Sequence, residues 1–365
     1  MLRSTLSLLR CPKPKKKQPC AGELSLSTKD SGEDVLTGEL ACKVCHAPYP
    51  VLAGVAILVP DVEGYLLHHV KGISKVVKDS AIPASIRADF AGARRELAHE
   101  HIEEDLESDR VNALYLMNHY FRVKGEKNPW WRSVPASESP LISSLIEQHW
   151  DHGPMETVAR WVPEGASVVE LGSGVGGLCE RVKDRAGSYL GVDSSFLSVL
   201  IARHLHLGGP FPGGLRYPGD LLYGNLSKPA VIKLSKPEKK PLPDFIVGDM
   251  DSAPVAGRAF DVCVTMNAID MLDDPAALPR TQGALVKKGG SVIGTAPYIW
   301  HEKVAKKLRS SALASADSSA AVVEGLYEKA GLSIERRELH IPWLFFKHLR
   351  QLEIYSVHAV LAKKS

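Results

Sequence analysis

The chain has 365 residues, with 45 Lys and Arg set against 42 Asp and Glu, a formal net charge of +3. Charged residues make up 24% and hydrophobic ones 44%, an ordinary globular composition whose charge balance does not argue for nucleic acid or a membrane surface. No apolar run approaches the ~18 residues of a spanning helix, and the first nine residues carry no signal-type cleavage site. The expectation is a soluble cytoplasmic protein of two or three domains.

Six cysteines are few for this length, and four of them, Cys11, Cys20, Cys42 and Cys45, crowd the N-terminal region. Clustering of this kind points to a metal rather than to a disulfide scaffold. Cys42-Lys-Val-Cys45 has the two-residue spacing that lets two thiolates reach one tetrahedral Zn²⁺. The longer Lys/Pro loop between Cys11 and Cys20 departs from that spacing, and four reduced thiols remain the alternative. So short a segment buries little apolar area, which makes a structural metal its natural source of stability. Leu-Leu-Arg-Cys-Pro at the start, Gly-Glu-Leu-Ala-Cys-x-x-Cys, Tyr-Pro and an apolar strand ending at Pro60 complete the pattern. Over residues 8–62 this succession resembles a small zinc-ribbon family. Its stand-alone members bind and activate methyltransferases that act on tRNA, ribosomal RNA and translation release factors. The resemblance implies a structural zinc held by Cys11, Cys20, Cys42 and Cys45. His46 reads as a surface residue, and Lys13, Lys15, Lys16 and Lys17 as a solvated loop.

Residues 63–150 form a linking region. From Ala84 to Tyr120, Phe90, Leu97, Ile102 and Leu106 recur at helical intervals, which predicts one or two amphipathic helices. His99 and His101 stand two apart and cannot chelate from one helix face. Asn128-Pro-Trp-Trp131 reads as an aromatic loop, either packing or covering a pocket.

The informative part begins at Ala166. Ser167-Val-Val-Glu-Leu171, then Gly172-Ser-Gly174-Val-Gly176-Gly177 and a helical stretch, give strand, glycine turn, helix. A second strand from Tyr189 ends in Asp193, where an acid can accept both hydroxyls of a ribose. Gly172, Gly174 and Gly177 also satisfy a dinucleotide-binding fingerprint, so this much serves two readings. Glu170, two residues before Gly172, can hold an amino acid's ammonium but would repel a pyrophosphate. Asp244-Phe-Ile-Val-Gly-Asp249-Met250 supplies an acid for an adenine amino group and a side chain to pack on the ring. Phe260-Asp-Val-Cys-Val264 and Gly290-Ser-Val-Ile follow as further buried strands.

Together these motifs, over residues 166–365, resemble the Rossmann-like S-adenosylmethionine-dependent methyltransferases. The resemblance implies an α/β fold: a seven-stranded sheet, parallel except for one C-terminal strand, with helices on both faces. Ser333–Leu339 and Val357–Ala362 suit its last two strands. By analogy Glu170 and Gly172 contact the methionine portion, Asp193 the ribose, and Asp249 with Met250 the adenine, while Gly174, Gly176, Ser194 and Asn267 complete the cofactor-binding set. Met266-Asn-Ala-Ile-Asp270 and Thr295-Ala-Pro-Tyr-Ile-Trp300 resemble a narrower group, the methyltransferase domains of ovothiol-forming and carnosine N-methylating enzymes, which also carry an insertion where residues 208–243 stand.

Methyl transfer is an in-line displacement, so alignment is the main task and one modest base assists a nitrogen or oxygen acceptor. Residues at the ends of strands four and five nominate Asn267 and Tyr298 to orient the acceptor, and Asp270 and His301 to take its proton. Asn267 and Asp270 also suit a helix cap. Cys179 and Cys263 read as buried packing residues. The expected organisation is a zinc ribbon (1–62), a helical linker or lid (63–150) and the methyltransferase unit (151–365). The ribbon is expected to stabilise the catalytic unit in cis for a small-molecule acceptor, imidazole-containing compounds included. An RNA- or protein-directed enzyme, a non-catalytic nucleoside-binding protein and an NAD-type oxidoreductase are the rival readings.

Overall fold

The computed structural model describes residues 1–15, 18–99, 103–120, 140–208, 215–217, 228–230, 232, 234, 241–309, 317–348 and 351–365. Asn128–Trp131, His101 and most of 208–243 lie outside them.

Ser167–Leu171, Ser188–Asp193, Asp244–Val247 and Phe260–Met266 are short runs buried on both faces, as parallel strands under two helical layers must be. With Val286–Ala296 and the C-terminal pair Leu332–His348 and Gln351–Lys364 they form a seven-stranded sheet. Numbered along the sheet's own chain order, the strands lie 3-2-1-4-5-7-6. The first five run parallel, and the last strand is antiparallel to both of its neighbours. This is the α/β architecture expected from the motifs, including the single reversed C-terminal strand.

The terminal hairpin is much longer than expected. Strand six runs past Leu339 to His348, through bulges at Ile334/Arg336 and Glu338/Ile341 and a left-handed His340. Pro342 is tolerated within it because this strand is the edge of the sheet. The extension projects a second ladder, with Trp343 opposite Tyr355 and Phe345 opposite Glu353, beyond the body of the sheet.

The N-terminal segment folds as a four-stranded antiparallel sheet of Leu24–Ser27, Gly38–Cys42, Pro48–Leu52 and Val55–Ala56. It is docked on the opposite edge of the large sheet. Ile57 bridges Val247 in parallel, the Leu58 N–H donates to the Val247 carbonyl at 2.9 Å, and Leu9 bridges Val255. Leu9, Ile57 and Leu58 are fully buried there, each contributing ~1.5–3 kcal/mol. Arg203 fastens the same seam, pairing with Asp244 of the large sheet and with Asp34 of the N-terminal segment.

The linking region begins with helices Val62–His68, Val70–Ser74 and Arg87–His99. The next helix, Glu103–Tyr120, crosses the carboxyl ends of the central strands and meets the extended hairpin. Its Asn118 amide spans the Phe346 backbone, donating to the carbonyl at 2.9 Å and accepting from the N–H at 2.8 Å.

Candidate active site

One cavity of about 1180 Å³ opens above the carboxyl ends of the strands, where ligands bind in open α/β sheets. Its floor comes from the tips of strands one to four. Gly172 (φ +78) and Gly174 (φ +50) turn the chain away from strand one. A Cβ on Gly174 would meet nothing within 4 Å, whereas one on Gly172 would crowd the Met250 methyl at 3.2 Å. The glycines thus leave an open cradle with a methionine at its rim.

Glu170 lies beneath the cradle, 3% exposed, and accepts a hydrogen bond from the Tyr189 hydroxyl. Burial pushes its carboxyl up to about 8; the Tyr189 hydrogen bond pulls it down, and the nearby Asp193 adds to the rise. Asp193 accepts from the Gly174 N–H at 2.8 Å with one oxygen and from the Ser195 N–H at 2.8 Å with the other. Burial also raises Asp193, against those two hydrogen bonds. The tips of strands two and three are tied, because the Gly248 N–H donates to the Asp193 carbonyl at 3.0 Å. That brings Asp249 and Met250 onto the same cavity. Asp249 closes its own turn, accepting from the Asp251 N–H at 3.0 Å.

Glu170, Gly172, Gly174, Asp193, Ser194, Asp249, Met250, Asn267, Asp270 and His301 all line this cavity. Two residues expected there do not. Gly176 (φ +81) is turned from the ligand space, and a Cβ on it would strike His206 at 3.0 Å and Phe245 at 3.2 Å. It serves the packing of the helix that starts at Gly177. Tyr298 (φ +63) turns its ring back towards the sheet, bonds His358 Nδ1 at 2.6 Å and stacks on Trp300 at 5.6 Å. A left-handed residue just past the strand tip sends the side chain away, so Tyr298 does not line this cavity.

Asn267 (φ +50) is held at the tip of strand four, its side-chain oxygen accepting from Thr295 Oγ1 at 2.9 Å. Asp270 is 2% exposed. One carboxylate oxygen accepts from the Ile299 N–H at 2.7 Å, and the other is buried without a partner among the described residues. His301 is exposed at the rim. Cys179 and Cys263 are buried and their thiols are pushed up by burial, as packing residues should be.

Several cavity residues had gone unnoticed in the sequence. Tyr115 and His119 come from the Glu103–Tyr120 helix, and Trp343, Phe345 and Tyr355 from the extended hairpin. The i, i+4 spacing of Tyr115 and His119 and the alternation Trp343, Phe345, Lys347 were the available signals. His119 packs against the glycine turn so closely that a Cβ on Gly177 would lie 2.5 Å from its Nδ1. Burial pushes its imidazole down to about 3, with Arg181 adding to the effect.

In the N-terminal sheet, one sulfur from each of Cys11, Cys20, Cys42 and Cys45 lies within 4.8 Å of the others. Cys11 and Cys45 are 3.5 Å apart and Cys20 and Cys42 are 3.8 Å apart, close to the ~3.8 Å edge of a tetrahedron with ~2.3 Å zinc–sulfur bonds. Burial pushes the Cys42 thiol up, but the N–H groups of Cys45 and Val44 outweigh it and bring it down to about 7. The donor set fits a closed, structural zinc.

Acids on successive strand tips around a glycine turn define a Rossmann-like, nucleoside-binding transferase architecture. Residues 147–335, just over half of the chain, match a family model described as methyltransferase domain, and the chain belongs to that family. It is an S-adenosylmethionine-dependent methyltransferase, and the oxidoreductase reading falls. No curated protein sequence matches the chain. Among solved structures it is similar to a complex of the Haloferax volcanii Trm112 methyltransferase activator with a methyltransferase, at 19% identity over 62% of this chain and 95% of that one, TM-score 0.39. Magnesium protoporphyrin IX methyltransferase of Synechocystis with bound S-adenosylmethionine shares 16% identity over 71% and 91% of the two chains, TM-score 0.37. A methyltransferase of Thermotoga maritima shares 19% over 58% and 87%, TM-score 0.34.

Proposed function

We propose that this chain methylates a nitrogen or oxygen of a small-molecule acceptor inside the 1180 Å³ cavity, with its zinc ribbon bracing the nucleoside half in cis. The observation that carries this reading is convergence: Glu170, Asp193 and Asp249, from three strand tips, share one cavity with the Gly172–Gly174 turn and with Asp270. S-adenosylmethionine, when bound, supplies a methyl group on an excellent leaving group. In this reading Glu170 receives its ammonium, Asp193 and Ser194 its ribose, and Asp249 with Met250 its adenine. Gly174 leaves the backbone open to it. Asn267 orients the acceptor, and Asp270, or His301 at the rim, takes the acceptor's proton. Alignment at ~3–3.5 Å supplies ~7–11 kcal/mol and the base ~10²–10⁴-fold.

The bracing role is supported by how the ribbon and linker touch this floor. The Leu8–Arg10 segment, next to Cys11, pairs with Pro254–Ala256 behind the adenine loop. Tyr65, just past the ribbon, donates to the Ser194 carbonyl at 2.7 Å in the ribose loop. The residue ranges 1–62, 63–150 and 151–365 remain our division of the chain into ribbon, linker and catalytic unit. Calorimetric titration with S-adenosylmethionine and with NADH, followed by a mass-spectrometric search of a metabolite pool for products one methyl group heavier, tests the function. Tight NADH binding without S-adenosylmethionine binding overturns it.

A further inference from the structure

The cavity has a second wall whose chemistry is different. Trp343 and Phe345 alternate along strand six and so share its face, and Tyr355 stands directly opposite Trp343 on strand seven. The Trp343 ring centroid is 5.1 Å from Phe345 and 5.2 Å from Tyr355. Tyr115, on the covering helix, continues the wall 6.3 Å from Phe345. All four rings line the cavity. Nothing in a seven-stranded sheet requires this wall, since it is built by the part of the hairpin that overshoots the sheet. Its position is fixed by the Asn118 amide, which clamps helix to hairpin at Phe346.

The charges nearby are spoken for. Arg181 pairs with Glu156 at 3.2 Å, and Lys347 with Glu353 at 3.3 Å while lying over the Phe345 ring. No phosphate-type clamp is offered. On residues of the lining, Ser173 Oγ, His119 Nδ1 and one Asp270 oxygen are sealed from solvent without a hydrogen-bond partner among the described residues. The low pKa of His119 leaves that ring neutral.

We infer that the aromatic wall is the acceptor subsite and that it selects a planar, aromatic small molecule. The ring stacks against the wall formed by Trp343, Phe345, Tyr355 and Tyr115. This rests on the methyltransferase reading and adds the class of acceptor to it. Offset and edge-to-face stacking is available to any flat π-system and denied to a saturated ring of equal size, which makes the inference separable from mere hydrophobic burial.

The test uses the full-length protein saturated with S-adenosylhomocysteine and three probes: 4-methylimidazole, tryptamine and cyclohexylamine. Quenching of tryptophan fluorescence and calorimetry report their binding. The expected result is that an aromatic probe binds at least about tenfold more tightly than cyclohexylamine. Trp343→Ala removes most of that preference and Trp343→Phe restores it, while cofactor affinity in both variants stays within about twofold of the wild type. Equal affinity for the saturated amine overturns the inference, as does absence of aromatic binding up to ~10 mM. Either result with cofactor binding intact leaves the methyltransferase assignment standing. Failure of cofactor binding itself strikes at the assignment instead.

Discussion

Replacing Glu170 by Gln tests the charge logic of the cavity most directly. The groups facing this carboxyl are Tyr189, Tyr120, Asp193 and the thiols of Cys179 and Cys263. None of them is a cation. Lifting a carboxyl from 4.5 to about 8 means that its charged form costs up to ~5 kcal/mol in the ligand-free protein. The direction of the linkage follows from the raised value. The contribution of this group to stability is complete below the unfolded value of 4.5 and is lost as pH rises through about 8. A bound cofactor ammonium supplies the missing cation and draws the proton off. Below about pH 7.5, where an α-ammonium is still charged, binding should therefore release close to one proton. The dissociation constant should fall about tenfold per pH unit between about pH 6 and 7.5. Calorimetry in buffers of differing ionisation enthalpy counts that proton. In Glu170→Gln the count should drop to zero, the pH slope should flatten, and the ligand-free protein should no longer lose stability towards about pH 9. A wild-type count near zero, or a slope that survives the substitution, refutes the reasoning.

Other consequences can be measured as directly. Gly177→Val places a side chain where a Cβ already lies 2.5 Å from His119 and 2.9 Å from Met155; denaturant titration should show a loss of ~1–3 kcal/mol, and an unchanged midpoint would mean that the covering helix is not seated on the glycine turn. Tyr65→Phe removes the hydrogen bond to the Ser194 carbonyl; cofactor binding should weaken ~2–10-fold, and an unaltered dissociation constant would relieve Tyr65 of a bracing role. Stripping metal with a strong chelator should lower both the melting temperature and the cofactor affinity, since structural zinc contributes ~10–16 kcal/mol in small modules. Metal-free protein that stays folded and binds the cofactor normally would separate the ribbon from the site.

The acid-lined part of the cavity was readable because parallel strands under two layers spell continuous apolar runs, and the acids sit at their ends. Glu170, Asp193 and Asp249 are each within two residues of a strand end. The rest of the cavity was not readable, for three physical reasons. Pro342 looks like the end of a strand, and only its place on the sheet edge lets the ladder continue to His348. Tyr115 and His119 lie on a helix whose docking face is set by tertiary contacts, Asn118 to Phe346 above all. Tyr298 follows the right strand, but a left-handed backbone turns it towards His358.

If the ribbon braces the cofactor site as proposed, the effect gains its size from where the N-terminal segment holds the large sheet. Its two main-chain anchors fall on Val247 and on Pro254–Ala256, one on each side of the loop that carries Asp249 and Met250. Gly248 is packed so tightly on Pro254 that a Cβ would lie 2.7 Å from the proline ring, so the loop has little freedom once both ends are fixed. Fixing one residue's backbone costs ~1–2 kcal/mol. If cofactor binding had to order even two of these residues, affinity would fall by ~30-fold or more. A ribbon that keeps both anchors in place removes that cost before the cofactor arrives. It can therefore raise affinity without contributing an atom to the cavity, and a chain that carries the ribbon in cis holds those anchors at any protein concentration.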